Sequence, residues 1–141
     1  MDRRAEARWN GDLKSGNGNV KVESGSIDTQ YSFTSRFESG TGTNPEELLG
    51  AAHAACYSMA LSAGLGKAGH APKSVHTTAT VHLTKGDAGF SISGIDLVTR
   101  GDVPGLSAAD FKKFAEETKA GCIVSRALSA VPMTVDAQLV G

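Results

Sequence analysis

Two cysteines are the residues of this chain best suited to chemistry, and they stand in different settings. Cys56 closes the alanine-rich run Gly50-Ala51-Ala52-His53-Ala54-Ala55-Cys56, whereas Cys122 follows Gly121 and opens Cys122-Ile123-Val124-Ser125. A thiol is a nucleophile only as thiolate, so its surroundings decide its use. At helical spacing Cys56 shares a stripe with Leu49, Ala52, Ala60 and Ala63 and, taken alone, reads as a small buried hydrophobe. Away from helix ends it would need a cation brought to it by the tertiary fold, and the sequence by itself does not name that cation. Cys122 begins a helical segment, where the positive dipole end and unpaired N–H groups favour a thiolate. It fits equally as a packing residue beside Ile123 and Val124.

Other constellations are weaker. His53 and Cys56 have the i, i+3 spacing that puts two ligands on one helix face, but no third or fourth ligand converges. His76 and His82 share a strand face about 20 Å apart at roughly 3.3 Å per residue, too far to hold one ion. No metal is expected, and His53 reads as a satisfied core or interface histidine. Gly64-Leu65-Gly66-Lys67-Ala68-Gly69 matches G-x-G-x-x-G but follows a helix rather than a strand. The negative end of a helix dipole repels phosphate, so the motif reads as a helix stop.

The elements that must position the cysteines follow from pattern. Val20 and Val22 alternate with polar residues, as do Tyr31, Phe33, Ser35 and Phe37, which predicts half-buried strands. Asn17-Gly18 predicts a tight hairpin turn after a strand near Ala5 to Trp9, so the first third reads as a β-meander. Asn44 suits an N-cap, Pro45 the first helical position, and Glu46 and Glu47 the positive first turn, starting a long helix that ends near Gly64 or Gly66. That helix is small-sided all round and needs cover on most faces, which points to a dimer. Val75 to Leu83 and the run from Phe90 predict two strands joined at Gly86-Asp87-Ala88-Gly89, with a bulge near Gly94. Ser107 caps a helix to about Ala120, a short helix follows from Cys122, and Met133 to Leu139 closes the chain as a strand. Segregated strands and helices predict an α+β fold.

The chain of 141 residues fits a single domain over 1–141 with its own core. A formal net charge of -1 gives no basic field, so neither nucleic acid nor an anionic membrane surface is an expected partner. Leu48 to Gly66 lacks any Asp, Glu, Lys or Arg, yet it is mostly Ala, Gly and Ser with a histidine inside, a poor membrane span. The charged N-terminus shows no apolar signal region, so the expected location is cytoplasmic. In a reducing compartment two cysteines are more often reactive or merely buried than a permanent staple.

The run Gly42-Thr43-Asn44-Pro45-Glu46 through Cys56, with Cys122-Ile123-Val124-Ser125 and the opening Arg8-Trp9-Asn10-Gly11-Asp12, resembles the osmotically inducible protein C (OsmC) and organic hydroperoxide resistance (Ohr) family, closest to its OsmC branch. The resemblance runs over nearly the whole chain. It implies an α+β intertwined homodimer with antiparallel sheets wrapped around long central helices. It also implies a thiol peroxidase that reduces organic hydroperoxides in stress defence and is recycled by a dithiol, including lipoyl groups on proteins. In this reading Cys56 is peroxidatic, Cys122 resolves it, and Arg36, in the strand before the motif, completes the site with Glu46. Neither cofactor nor metal is called for. Ile123 departs from the proline that many members carry after the resolving cysteine.

The residue types suit those roles. Arg36 is permanently charged and can stabilise a thiolate and hold peroxide oxygens. A carboxylate beside a thiolate would oppose its ionisation, so Glu46 is expected to orient Arg36. Glu46 and Cys56 are ten residues apart, about 15 Å along one helix at 1.5 Å per residue. If both serve one site, two chains must share it.

Overall fold

A computed structural model describes residues 1–141, which divide into two compact units, 1–48 and 49–141. The first unit holds β1 (Ala5–Asn10), β2 (Asn17–Val22) and β3 (Asp28–Tyr31), paired antiparallel in the order β1-β2-β3. This is the expected meander, but Asn17-Gly18 does not form its turn. Gly18 lies within β2, paired to Trp9 and Tyr31, and a Cβ there would come within 2.5 Å of the Tyr31 ring and 2.7 Å of the Trp9 ring. The glycine is needed for close approach, not for a left-handed backbone. The turn forms upstream, where Gly11 has φ of 88° and the Asp12 carboxylate accepts from the Ser15 N–H and hydroxyl, both at 2.7 Å.

The alternation from Tyr31 to Phe37 also misleads. β3 stops at Tyr31 and α1 (Phe33–Phe37) follows. A local device outweighs the period-two pattern: the Ser32 hydroxyl accepts from the Ser35 N–H at 3.1 Å, and the Ser35 hydroxyl accepts from the Ser32 N–H at 2.8 Å. This reciprocal capping box starts a helix. Arg36 therefore sits on a helix, not on a strand.

The long helix α2 (Pro45–Lys67) starts as expected, with the Glu47 N–H donating to Asn44 Oδ1 at 2.8 Å. Its stop is later than Gly64 or Gly66. Gly69, at φ of 87°, closes a Schellman turn in which His70 N–H donates to the Leu65 carbonyl and Gly69 N–H to that of Gly66.

In the second unit β4 (Ser74–Gly86) and β5 (Gly89–Asp102) form a long antiparallel hairpin. Its register shifts between His82 and Leu83, leaving Ser93 as the extra residue beside Gly94. α3 (Ala108–Gly121) is capped by Ser107, α4 (Ile123–Ala127) follows, and β6 (Met133–Leu139) completes the sheet β4-β5-β6. β6 runs parallel to β5, so the expectation of purely antiparallel sheets fails here. Two helices intervene between these strands, and such a crossover returns the chain in the same direction.

The core gathers Tyr57, Leu61 and Leu65 from α2 with Ile95, Leu97, Phe111 and Cys122. The buried stripe of α2 is Gly50, His53, Tyr57, Leu61 and Leu65, one residue round from the expected one. Tyr and Leu remove far more apolar area from water than Ala, so they take the inward face. Cys56 flanks that stripe, half-buried, while Ala52 and Ala63 are exposed.

Candidate active site

The four expected residues form two pairs. In the first unit Arg36 grips Glu46, with Nε 3.1 and 3.3 Å from the two carboxylate oxygens and Nη2 2.8 Å from Oε1. The fork of the guanidinium matches the carboxylate, and Glu46 is 7% exposed. Local bonds fix the geometry. Asn44 Nδ2 donates to the Ser35 carbonyl at 3.1 Å, and the Ser35 hydroxyl donates to that of Thr43 at 2.6 Å, tying α1 to the start of α2. The Arg36 guanidinium also lies 5.1 Å from the Phe37 ring centroid. It borders a cleft of about 390 Å³ whose walls include Trp9, Leu13, Tyr31, Phe33 and Phe37.

In the second unit both thiols are free and Cys122 Sγ lies 3.2 Å from Cys56 Sγ. Cys122 ends α3, donating its N–H to the Thr118 carbonyl at 2.8 Å, and stands at the N-cap of α4, its own carbonyl accepting from Arg126 N–H at 2.9 Å. Burial pushes the Cys122 thiol up, but hydrogen bonds from the Ser125 N–H, the Cys56 thiol, the Ser125 hydroxyl and the Val124 N–H outweigh it. The net direction is below the ordinary thiol value, towards thiolate. α4 begins at Ile123 without the usual proline, so that departure does not prevent the turn that presents Cys122.

A second contact accompanies the sulfurs. His53 Nε2 is 2.7 Å from Ser125 Oγ; the residues are 0% and 3% exposed. Burial lowers the His53 pKa, holding the ring neutral. Its Nδ1 has no partner, so the expectation of a satisfied histidine holds for one ring nitrogen only. One turn on, the buried Tyr57 hydroxyl donates to the Ala115 carbonyl at 2.7 Å, and burial followed by Glu116 and Cys122 raises its pKa. Sequence reasoning passed over Ser125. The signal was available: His53 precedes Cys56 by three and Ser125 follows Cys122 by three, so helix geometry makes each a neighbour of its cysteine. No three His, Cys, Asp or Glu side chains gather as a metal site.

Residues 38–136 match the family described as OsmC-like protein. Peroxiredoxin OsmC of Escherichia coli strain K12 is 52% identical over 140 residues, covering 99% of this chain and 97% of that protein. The organic hydroperoxide resistance protein OhrB of Bacillus subtilis has a similar solved structure, with a TM-score of 0.72 at 23% identity over 97% of this chain and 98% of its own. An OsmC-like protein from Mycoplasma pneumoniae reaches a TM-score of 0.78 at 16% identity, covering 100% and 99%. At such identities the two structures speak to the fold alone.

Proposed function

The chain belongs to the OsmC family, and on that premise we propose that it is a thiol peroxidase reducing organic hydroperoxides at Cys56, with Cys122 as the resolving residue. It is a peroxiredoxin-like enzyme, as its relative with 52% identity is named, and its role lies in hydroperoxide resistance. The observation that carries the residue assignment is the 3.2 Å approach of two free thiols.

The Cys56 thiolate attacks one peroxide oxygen, the O–O bond breaks, and the departing alkoxide takes up a proton as the alcohol. Cys56 is left as sulfenic acid. Cys122 then attacks the Cys56 sulfur, water leaves, and a disulfide forms. The sulfurs must close from 3.2 Å to about 2.05 Å, a movement that side-chain rotation can supply. A dithiol of the lipoyl type returns the pair to thiols by exchange through a mixed disulfide.

Arg36 and Glu46 complete the site, Arg36 as the thiolate-stabilising cation and Glu46 as its orienting carboxylate. The aromatic cleft beside Arg36 supports an organic rather than a small inorganic peroxide, because its walls favour an alkyl or aryl group. The working form is a homodimer with shared sites, acting in the cytoplasm and built from one domain over 1–141. By length and composition α2 could cross a membrane; we assign its exposed small-residue face to a second copy instead of lipid.

The test is direct. Purified protein should consume cumene hydroperoxide when dihydrolipoamide is supplied, and Cys56→Ser should not. Oxidation of dihydrolipoamide no faster than in a protein-free control would remove the proposal.

A further inference from the structure

The resolving step needs a Cys122 thiolate, yet Cys122 is 1% exposed and so cannot rely on water to stabilise that charge. Ser125 is the nearest source of help, since both its N–H and its hydroxyl bond to the Cys122 sulfur. A serine hydroxyl has one proton to donate and two lone pairs to offer. If that proton were directed at His53, 2.7 Å away, it would be lost to Cys122. The direction of the His53–Ser125 bond therefore decides what Cys122 receives.

The unpartnered Nδ1 of His53 settles that direction. The ring is neutral, so it carries one N–H. A proton on Nδ1 would be a buried donor without an acceptor, and orphaned N–H groups are rarer in folded proteins than under-used acceptors. With the proton on Nε2, every proton is used: Nε2–H donates to Ser125 Oγ, and Ser125 Oγ–H donates to the Cys122 sulfur. We propose that His53 and Ser125 are positioning residues for the resolving half-reaction, His53 orienting the Ser125 hydroxyl so that its proton is presented to Cys122 as that sulfur attacks oxidised Cys56.

The chemistry balances without another reactant. Cys56 sulfenic acid and the Cys122 thiol become a disulfide and water: the S–S bond forms, the S–O bond breaks, and the departing hydroxide combines with the thiol proton. Peroxide has already supplied the oxidation. Ser125 and His53 begin and end neutral. This inference rests on the peroxidase reading for the step it serves, while the bond from Ser125 to Cys122 stands without it.

Two measurements keep these apart. In the first, reduced protein receives one equivalent of cumene hydroperoxide, and sulfenate and disulfide are followed by rapid quench and mass spectrometry. His53→Leu and Ser125→Ala should form the Cys56 sulfenate at the wild-type rate but close the disulfide about three- to tenfold more slowly near neutral pH. A hydrogen bond to an ionised group is worth about ten- to hundredfold in thiolate population, partly offset because a more basic thiolate is the better nucleophile. The deficit should shrink near pH 10, where an ordinary thiol ionises unaided. The groups acting on Cys122 are Cys56 from α2, Ser125 and the Val124 N–H from α4, and Tyr57 from α2, itself affected by Glu116 of α3. His53→Gln, which keeps an N–H donor, should recover much of the rate.

In the second measurement, Cys56→Ser leaves Cys122 as the sole cysteine, and its thiolate absorbance is titrated with and without His53→Leu, His53→Gln and Ser125→Ala. The midpoint should rise with His53→Leu and Ser125→Ala and return with His53→Gln. Unchanged midpoints overturn the proposal even if the protein is no peroxidase, and a rate deficit equal at both pH values overturns it as a mere packing defect. Should wild type form no sulfenate while the midpoints move as expected, the peroxidase reading fails and the bond survives.

Discussion

Cys56 is half-buried and Cys122 is 1% exposed, so a peroxide arriving from solvent meets Cys56 first. Cys56→Ser is expected to abolish turnover and leave the fold intact, since the hydroxyl is nearly isosteric but is not ionised at neutral pH. Cys122→Ser should still be oxidised at Cys56 and then, with no resolving thiol, climb to sulfinic and sulfonic acids. Mass spectrometry after one equivalent of hydroperoxide reads both outcomes, and an oxidised wild type without a Cys56–Cys122 disulfide would refute the pairing. His53 adds a pH dependence whose sign follows from burial. Its folded pKa lies below the ordinary 6.5, so the unfolded chain binds the proton first as pH falls. Stability from this group is complete above about pH 6.5 and declines below it, until the folded histidine also protonates. The urea midpoint should therefore fall more steeply from pH 7.5 to about 5.5 in wild type than in His53→Gln, and equal slopes would count against a buried neutral imidazole.

Arg36 owes its place to α1, a helix of five residues that is too short to persist on propensity alone. Ser32→Ala removes one arm of its capping box and should cost about 1 kcal/mol, read as a lower urea midpoint at unchanged slope. If α1 positions Arg36 for catalysis, the same variant should slow alkylation of Cys56 near pH 6 less than Arg36→Met does, and neither should matter much above about pH 9, where thiols ionise unaided. An Arg36→Met rate identical to wild type at pH 6 would assign the activating charge elsewhere. This element also marks where the sequence stopped being legible. Long periodic segments and caps were readable: Asn44 and Ser107 start helices, and the slip near Gly94 is a bulge, because each signal is local and meets no competitor. Phe33 to Phe37 carried two signals at once, alternation and a Ser-x-x-Ser capping box, and only the hydrogen bonds decide between them. Asn17-Gly18 failed similarly, since glycine serves tight turns and tight packing alike and the rings of Trp9 and Tyr31 are distant in sequence. The parallel pairing of β6 and the contact of Cys56 with Cys122, 66 residues apart, are long-range facts that no periodicity encodes.

Across the whole molecule, α2 has a face that one chain leaves uncovered. Ala51, Ala52, Ala55 and Ala63 are exposed and Met59 is 75% exposed, although this is the least charged stretch of the sequence. Small residues let a second helix approach closely, so a symmetric pair of α2 helices would bury that face. The same pairing answers a problem of reach. Glu46 and Cys56 are ten residues apart on one continuous helix, about 15 Å along its axis. Side chains of those sizes do not meet across that span, but Glu46 of one chain can approach Cys56 of a partner whose helix runs antiparallel. Arg36 is held by Glu46 in a forked ion pair and would travel with it, so the partner would supply both. The prediction is subunit complementation. Cys56→Ser and Glu46→Ala proteins, each deficient in turnover, are unfolded, mixed in equal amounts and refolded together. Half the dimers should then be mixed, and each mixed dimer contains one site with an intact Cys56 and an intact Glu46. Activity should recover to about a quarter of wild type, the fraction that random pairing into symmetric dimers gives. Recovery no greater than that of the two variants refolded separately would put Glu46 and Cys56 to work in the same subunit, or take Glu46 out of the site.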